Sequence, residues 1–449
     1  MAQFHEVNPV VADDPKIRRH PPLEITTIKG FPRWFFGGRQ WLLLPFDMLL
    51  LDFPPSFSEQ RIVAHLTENK LLNRYPFHTN PRPVMDGIML YITKRCNLKC
   101  RYCEVCIPGE APDMNQSVVN AAFEFIAYAA RKNRNTIPIT FFGGEPSLRT
   151  DIVVAMLERF RLAGIMAKGF FCTNGTISEK ALHRLLPYGM EWRVSLDVPG
   201  EAYAEFDYRR GIDFDAVYRT VRAIAGHGNP LSIYTTVTRT NMHLMPLMVE
   251  KSRELGCRRI RFMPMRAAYH RSAAMPDLTP DPVEFVDMWY ACRELGGDDI
   301  DVMESHLCMM FGAILAKCPS TSITPDGIVL PTVSEAHRQE RLHLGNVLER
   351  DFESILSKSA RLRERYFQDV EEICAGCIAR RVCSGGNMAI EIMLGSRIMR
   401  NDCQIMRQFM QATCERIFAF SKRTLLPEYS GDQPVKVFRY EPFYRELPT

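Results

Sequence analysis

The chain has 449 residues, 46% hydrophobic and 24% charged, ordinary globular usage that excludes a disordered or fibrous protein. Its 56 Lys and Arg against 52 Asp and Glu leave a formal charge of +4, too small an excess to argue for a nucleic-acid surface. No apolar run reaches the ~18 residues of a membrane span, and the amino terminus lacks the apolar core of a secretory signal. A cytoplasmic enzyme with neither membrane nor nucleic-acid partners is expected.

Residues 1–85 read as a small α+β module. Short strands are predicted at Leu23–Lys29, Trp34–Leu44 and Met48–Asp52, followed by a helix over Ser56–Leu72 capped by Ser56 or Ser58. Pro76, Pro81 and Pro83 mark a linker. From Gly87 short apolar runs alternate with amphipathic stretches. The predicted strands are Gly87–Ile92, Ile137–Phe142, Lys168–Cys172, Trp192–Leu196, Leu231–Val237 and Arg258–Met263. Helices are predicted at Gln116–Lys132, Asp151–Ala163, Phe214–Ala225 and His243–Leu255, the last capped by Asn241 and stopped by Gly256. Such a series implies a parallel sheet with right-handed crossovers. A full eight-fold barrel takes ~250 residues, so the expected fold is α/β, a partial, TIM-like (β/α)6 barrel over residues 86–305. Beyond Met265 the alternation fades. Residues 306–425 carry a second cysteine group and a helical end, Gln404–Arg423, and the polar tail 426–449 is expected to wrap the surface.

Fourteen cysteines are many for a chain with no signal peptide, and a reducing cytosol disfavours disulfides. Clustered thiols there point to metal. Cys96, Cys100 and Cys103 form a C-x3-C-x2-C directly after the first barrel strand, and parallel α/β folds bind ligands outside the carboxyl ends of their strands. Three thiolates can hold three corners of a cubane iron–sulfur cluster and leave one iron open to a substrate or cofactor. The rival is a zinc knuckle completed from afar, although no His stands at ligand spacing. Cys106, just behind, reads as a bystander.

This arrangement resembles the radical SAM superfamily, in which the triplet binds a 4Fe–4S cluster and S-adenosylmethionine chelates the open iron. Tyr102, the aromatic before the last Cys, fits the family. Phe142-Gly143-Gly144-Glu145-Pro146 resembles its GGEP motif, with glycine backbone near the cofactor's ammonium and Glu145 complementing that charge. Thr173-Asn174-Gly175 and Ser195-Leu196-Asp197 resemble two further strand-end motifs, the latter offering a hydroxyl and a carboxylate to the cofactor. The glycine usual after it is Val198 here. Arg209-Arg210-Gly211, followed by Phe214-Asp215, resembles the segment that offers an Arg, taken as Arg210, to the methionine carboxylate.

Cys374-x2-Cys377-x5-Cys383, with Cys403 downstream, is similar to the SPASM extension of such enzymes. Cys318, Gly327 and the Gly345-Asn346 segment match further parts of that pattern, but Thr332 and Asn387 stand where two cysteines are expected. The resemblance therefore implies one auxiliary 4Fe–4S cluster, on Cys374, Cys377, Cys383 and Cys403, in a SPASM-like domain. Four thiolates also suit structural zinc; beside a radical SAM core, iron–sulfur is favoured. Cys172, Cys257, Cys292, Cys308 and Cys414 read as buried small hydrophobes.

The family's chemistry implies reductive cleavage of S-adenosylmethionine to a 5′-deoxyadenosyl radical that takes hydrogen from a substrate. Its SPASM members point to a leader-bearing peptide as substrate and to peptide modification or crosslinking, with flavodoxin or ferredoxin as one-electron donor. Alternatives are oxidation of a small molecule and, from another class, an iron–sulfur electron carrier or binding protein. Residues 1–85 are expected either to cap the barrel or to hold a peptide by strand addition, with Trp34–Leu44 as the open edge.

Overall fold

The computed structural model describes residues 23–44, 49–71, 87–103, 113–132, 135–206, 209–265, 276–303, 320–331, 340–380, 400–420, 423–425 and 435–440. Four strands, β1 (Thr26–Ile28), β2 (Phe31–Phe36), β3 (Arg39–Leu44) and β4 (Leu49–Phe53), precede helix α1 (Glu59–Glu68). Then follow β5 (Gly87–Thr93), β6 (Lys99–Cys100), α2 (Gln116–Arg131), β7 (Thr136–Gly143), α3 (Thr150–Leu162), β8 (Met166–Thr173), α4 (Glu179–Leu185), β9 (Glu191–Ser195) and β10 (Arg209–Arg210). The series continues with α5 (Phe214–His227), β11 (Leu231–Val237), α6 (Met245–Glu254), β12 (Arg259–Pro264), α7 (Pro282–Gly296) and β13 (Asp301–Met303). Last come β14 (Ser320–Ile323), β15 (Ile328–Leu330), β16 (Gly345–Asn346), the helices Phe352–Ile373 and Arg400–Phe420, β17 (Arg423–Leu425) and β18 (Lys436–Tyr440).

A ten-stranded sheet has the order β13-β12-β11-β9-β8-β7-β5-β14-β15-β16. From β14 through β13 every neighbouring pair is parallel. From β5 to β13 the order follows the chain, so each crossover steps one place in the same direction, which is barrel winding. All six expected strands are present. The unit α7–β13 adds one more, hidden in the sequence because β13 is only three residues long.

Alternation explains the layering. Ile139, Phe141, Phe171, Trp192, Val194, Ile233, Ile260 and Phe262 are fully buried and share one core cluster with Val217, Val221 and Ile224 of α5 and Met248 and Val249 of α6. Each such large side chain contributes roughly 1.5–3 kcal/mol. The intervening residues face the concave side, which these helices leave free, and apart from the buried Ser232 are half-buried. Asn241 does not cap its helix, contrary to expectation. Its side chain accepts from Thr238 N–H at 2.6 Å and donates to the carbonyls of Asp197 and Thr236 at 3.0 and 2.9 Å, which ties the ends of β9 and β11 together.

The amino-terminal segment departs further from its reading. Trp34–Leu44 is no single edge strand but a hairpin, β2–β3, turned on Gly37 and Gly38, whose φ values of 58° and 71° suit a two-residue turn. Ser58, not Ser56, caps α1, accepting from Arg61 N–H at 3.3 Å. The tail does not simply wrap the surface: β18 pairs antiparallel with β4, giving a six-stranded sheet β1-β2-β3-β4-β18-β17. Both β2 and β3 are interior strands, so Trp34–Leu44 offers no open edge. One face of this sheet (Trp34, Trp41, Leu43, Leu50) joins the main core, and the other packs on Ile62 and Leu66 of α1. Among the described residues no helix is long and apolar enough to cross a membrane.

Candidate active site

The thiol loop hangs from the carboxyl end of β5 and is clamped where it starts. Gly144 N–H donates to Thr93 O and Glu145 N–H to Arg95 O, each at 2.8 Å, so backbone pairing with the end of β7 runs on past the strand. A Cβ on Gly143 or Gly144 would collide with the carbonyl oxygen of Thr93 or Arg95, and Gly143 has φ +143°. Glycine is required here for close backbone approach. Opposite, Asp113 accepts from Thr93 Oγ1 at 2.6 Å, from Arg95 Nε and Nη2 at 2.8 and 2.6 Å, and from Arg149 Nη1 at 3.0 Å. Burial works against the Asp113 carboxylate, but the hydrogen bonds from Arg95, Thr93 and Arg149 outweigh it and hold its pKa below the usual value.

Glu145 is fully buried, and its carboxylate accepts from Ser147 N–H (3.0 Å), Thr173 Oγ1 (2.9 Å) and Asn174 N–H (2.7 Å). It braces the ends of β7 and β8 against each other. Burial raises its pKa, opposed by those donors. Asn174 Nδ2 reaches Asn97 Oδ1 at 2.9 Å and Cys96 Sγ at 3.6 Å, which puts the third strand-end motif against the first thiol. Leu98 N–H also points at Cys96 Sγ, at 3.4 Å.

Across the mouth, Tyr102 donates its hydroxyl to Asp197, whose other oxygen accepts from Thr236 N–H at 2.9 Å. Ser195 closes β9, and Val198 is buried with Phe206 and Leu244 in a small satellite cluster. The strand β10 pairs with β6, setting Arg209 opposite Cys100 and Arg210 opposite Lys99, so the arginine segment lies along the thiol loop. Tyr91, on the concave face of β5, was not singled out in the sequence. Its buried hydroxyl has no hydrogen-bond partner among the described residues, and its pKa is raised by burial, then by the nearby Cys103 and Cys172 thiols. A buried phenol near Cys103, three thiols on one short loop and a glycine-built rim suit an iron–sulfur cluster there.

Cys374, Cys377 and Cys403 also come together. Cys377 N–H closes a turn on Cys374 O at 3.0 Å. Burial, then the charges of Cys377 and Cys403, push the Cys374 thiol up to about 12. Arg407, one helical turn beyond Cys403, has its pKa raised by the Cys377 sulfur first, with Cys403 and Cys374 adding to it. Gly327 (φ +87°) turns β14 into β15, and Val347 N–H reaches its carbonyl at 2.8 Å, so the Gly327 and Gly345-Asn346 segments lie side by side. Cys106, Cys308, Cys318, Thr332, Cys383 and Asn387 lie outside the described residues. Among the described residues no three His, Cys, Asp or Glu side chains could hold a single metal ion; a cluster spreads its ligands over separate irons and asks for wider spacing. Cys257, Cys292 and Cys414 are buried, and desolvation raises the Cys257 thiol to about 11. Cys172 instead faces the barrel interior, where burial raises its pKa and the nearby Arg193 charge opposes that rise.

Residues 90–262 match the Radical SAM superfamily. The chain is 24% identical to AdoMet-dependent heme synthase of Nitratidesulfovibrio vulgaris (strain Hildenborough), over 70% of this chain and 92% of that protein. It is 26% identical to PqqA peptide cyclase of Xanthomonas campestris pv. campestris, over 69% of this chain and 82% of the relative. Native anSMEcpe with bound AdoMet superposes with a TM-score of 0.57 at 18% identity, covering 74% of this chain and 97% of that one. Streptococcus suis SuiB bound to S-adenosylmethionine gives a TM-score of 0.52 at 16% identity, covering 76% and 81%. At such identities the structural likeness shows a shared fold.

Proposed function

We propose that this radical SAM enzyme modifies a peptide, removing a hydrogen atom from it to start the change. The observation that carries the reading is the convergence of three strand-end motifs and the Arg209-Arg210 segment on one clamped three-thiol loop. When bound, a 4Fe–4S cluster with S-adenosylmethionine supplies hydrogen-atom abstraction by reductive cleavage of the cofactor. Cys96, Cys100 and Cys103 would hold the cluster. Gly143, Gly144, Asn174, Ser195, Asp197, Tyr102 and Arg210 would surround the cofactor, with Glu145 acting as the buried brace beneath them. Asp197, fixed by Thr236 N–H, would meet the cofactor's polar groups with an oxygen that now serves Tyr102. The barrel keeps water away and fixes one C–H of the substrate near the reacting carbon.

Cys374, Cys377, Cys383 and Cys403 would hold an auxiliary cluster that accepts or relays an electron, with flavodoxin or ferredoxin as the external donor. The likeness to PqqA peptide cyclase, and to SuiB, which has been solved bound to precursor peptide SuiA, supports a peptide substrate. A second reading, oxidation of a small molecule, is supported by coverage of 92% of the heme synthase. The test is to incubate reduced, reconstituted protein with S-adenosylmethionine and a candidate precursor peptide encoded beside its gene. Deoxyadenosine formed together with a mass change in the peptide is expected. Deoxyadenosine formed without any change in the peptide favours the small-molecule reading, and none at all refutes both.

A further inference from the structure

The concave face of the sheet carries charge that the described acidic groups do not fully neutralise. Register sets one row across it: Ser195 lies beside Tyr234, Tyr234 beside Arg261 and Arg261 beside Met303. Alternate residues of a strand share a face. Arg259 and Arg261 therefore stand opposite the buried Ile260 and Phe262, as Arg193 stands opposite Trp192 and Val194. The Arg193 guanidinium lies 4.2 Å from the ring centroid of Phe170 and 5.8 Å from that of Tyr234, and the Arg261 guanidinium lies 5.4 Å from Tyr234. Among the described residues two carboxylates face these three arginines: Glu191 is 3.6 Å from Arg193, and Asp301 is 3.5 Å from Arg259. Burial works to lower the Arg193 pKa, but the charges of Tyr234, Cys172 and Glu191 raise it. Among the described residues Arg261 has no ion pair, and the buried Nε atoms of Arg193, Arg259 and Arg261 have no hydrogen-bond partner.

Buried polar groups normally find partners, and the planar fork of a guanidinium fits a carboxylate with two parallel hydrogen bonds. Resting on the radical SAM reading, the geometry points to a carboxylate subsite in the barrel: Arg261, flanked by Tyr234 and Arg193, receives a carboxylate of the peptide substrate. That group comes from an acidic side chain or from the peptide's own C-terminus. Two strand spacings of about 4.8 Å separate Arg261 from Ser195 along the row. A carboxylate held at Arg261 therefore leaves the adjoining C–H groups facing the strand ends that surround the thiol loop. Substrates bearing such a group near the reacting residue are selected, and those carrying an amide there are not.

Saturation-transfer NMR tests this on the reconstituted holoenzyme with S-adenosylmethionine and no reductant. The probes are N-acetylglutamate α-amide for a side-chain carboxylate, N-acetylalanine for a C-terminal one, and N-acetylglutamine α-amide as the neutral isostere. At least one carboxylate probe should give a signal five-fold or more above the neutral probe, and the responding probe names the source. Arg261→Gln should reduce it to the neutral level, and Arg261→Lys should keep part of it. If Arg261→Gln does not fold, Arg261→Met decides by the same criterion. Equal signals from all three probes, or a carboxylate signal that survives loss of the Arg261 charge, overturns the subsite. Deoxyadenosine formation by the wild-type protein under dithionite is measured separately. Its absence refutes the radical SAM reading whichever probe binds, whereas its presence without carboxylate preference overturns only the subsite.

Discussion

Cys96, Cys100 and Cys103 hang from a strand end whose backbone is clamped by Gly144 and Glu145 on one side and by Asp113 on the other. Cys374 and Cys377 belong to a turn, and Cys403 to a separate helix, Arg400–Phe420. The first set is thus positioned by the sheet itself. The second set depends on two segments meeting, with the Arg407 charge near Cys377, Cys403 and Cys374. Position is inherited from the fold in one case and assembled from side chains in the other.

The largest effect separating the two regions should follow replacement of Cys96, Cys100 and Cys103 by Ala. Reductive cleavage of S-adenosylmethionine should fall to background while about four irons per chain remain on the second set, out of about eight in the intact protein. Deoxyadenosine still formed by that triple variant would contradict the placement of the cofactor. Next comes Gly144→Ala, which touches no thiol yet forces a Cβ against the Arg95 carbonyl. Deoxyadenosine formation should drop at least tenfold, about 1.4 kcal/mol in the barrier, with iron lost from the first set. Retention of full iron and rate would mean that the clamp is dispensable.

Cys374→Ser should do the reverse, removing about four irons while the spectroscopic change on adding S-adenosylmethionine to the first cluster persists. Zinc in place of iron at the second set would refute the auxiliary cluster. The smallest effect is expected of Asp113→Asn. Its half-exposed ion pairs limit the loss to about 1 kcal/mol in denaturant unfolding. With its folded pKa below the unfolded value, Asp113 contributes stability above the unfolded pKa and loses it as pH falls through the folded one. The gap between wild type and variant should accordingly close on acidification below about pH 4. A gap that is independent of pH would exclude charge as the cause.

The barrel strands and the thiol spacings were legible because each is written locally. Ile137–Phe142 and Leu231–Val237 announce themselves by apolar runs between helical stretches, and strand ends then follow. The Gly37-Gly38 turn was also readable, although the aromatic and aliphatic residues Trp34–Phe36 and Trp41–Leu44 on either side masked it. Arg259 and Arg261 alternate with Ile260 and Phe262, a pattern that marks a strand with one charged face; only register shows that the charged face meets Tyr234 and Arg193. The pairing of β18 with β4 was not legible. It joins segments nearly four hundred residues apart, and Val435 and Val437 are too short a signal in a polar tail. The glycines of the GGEP motif were identified, yet their packing against Thr93 and Arg95 is a property of the folded sheet.

That same pairing has a consequence in time. Strand β4 ends at Phe53, and the strand that completes its far edge begins at Lys436. A ribosome adding roughly 5–20 residues per second leaves the backbone groups of that edge without their partner for about 20–80 seconds. Throughout this interval Leu49, Leu50 and Leu51, all buried in the finished fold, belong to an unfinished sheet of the kind that recruits stray strands. The interval ends only when residues 436–440 emerge, so the earliest strands of the chain are among the last to be secured.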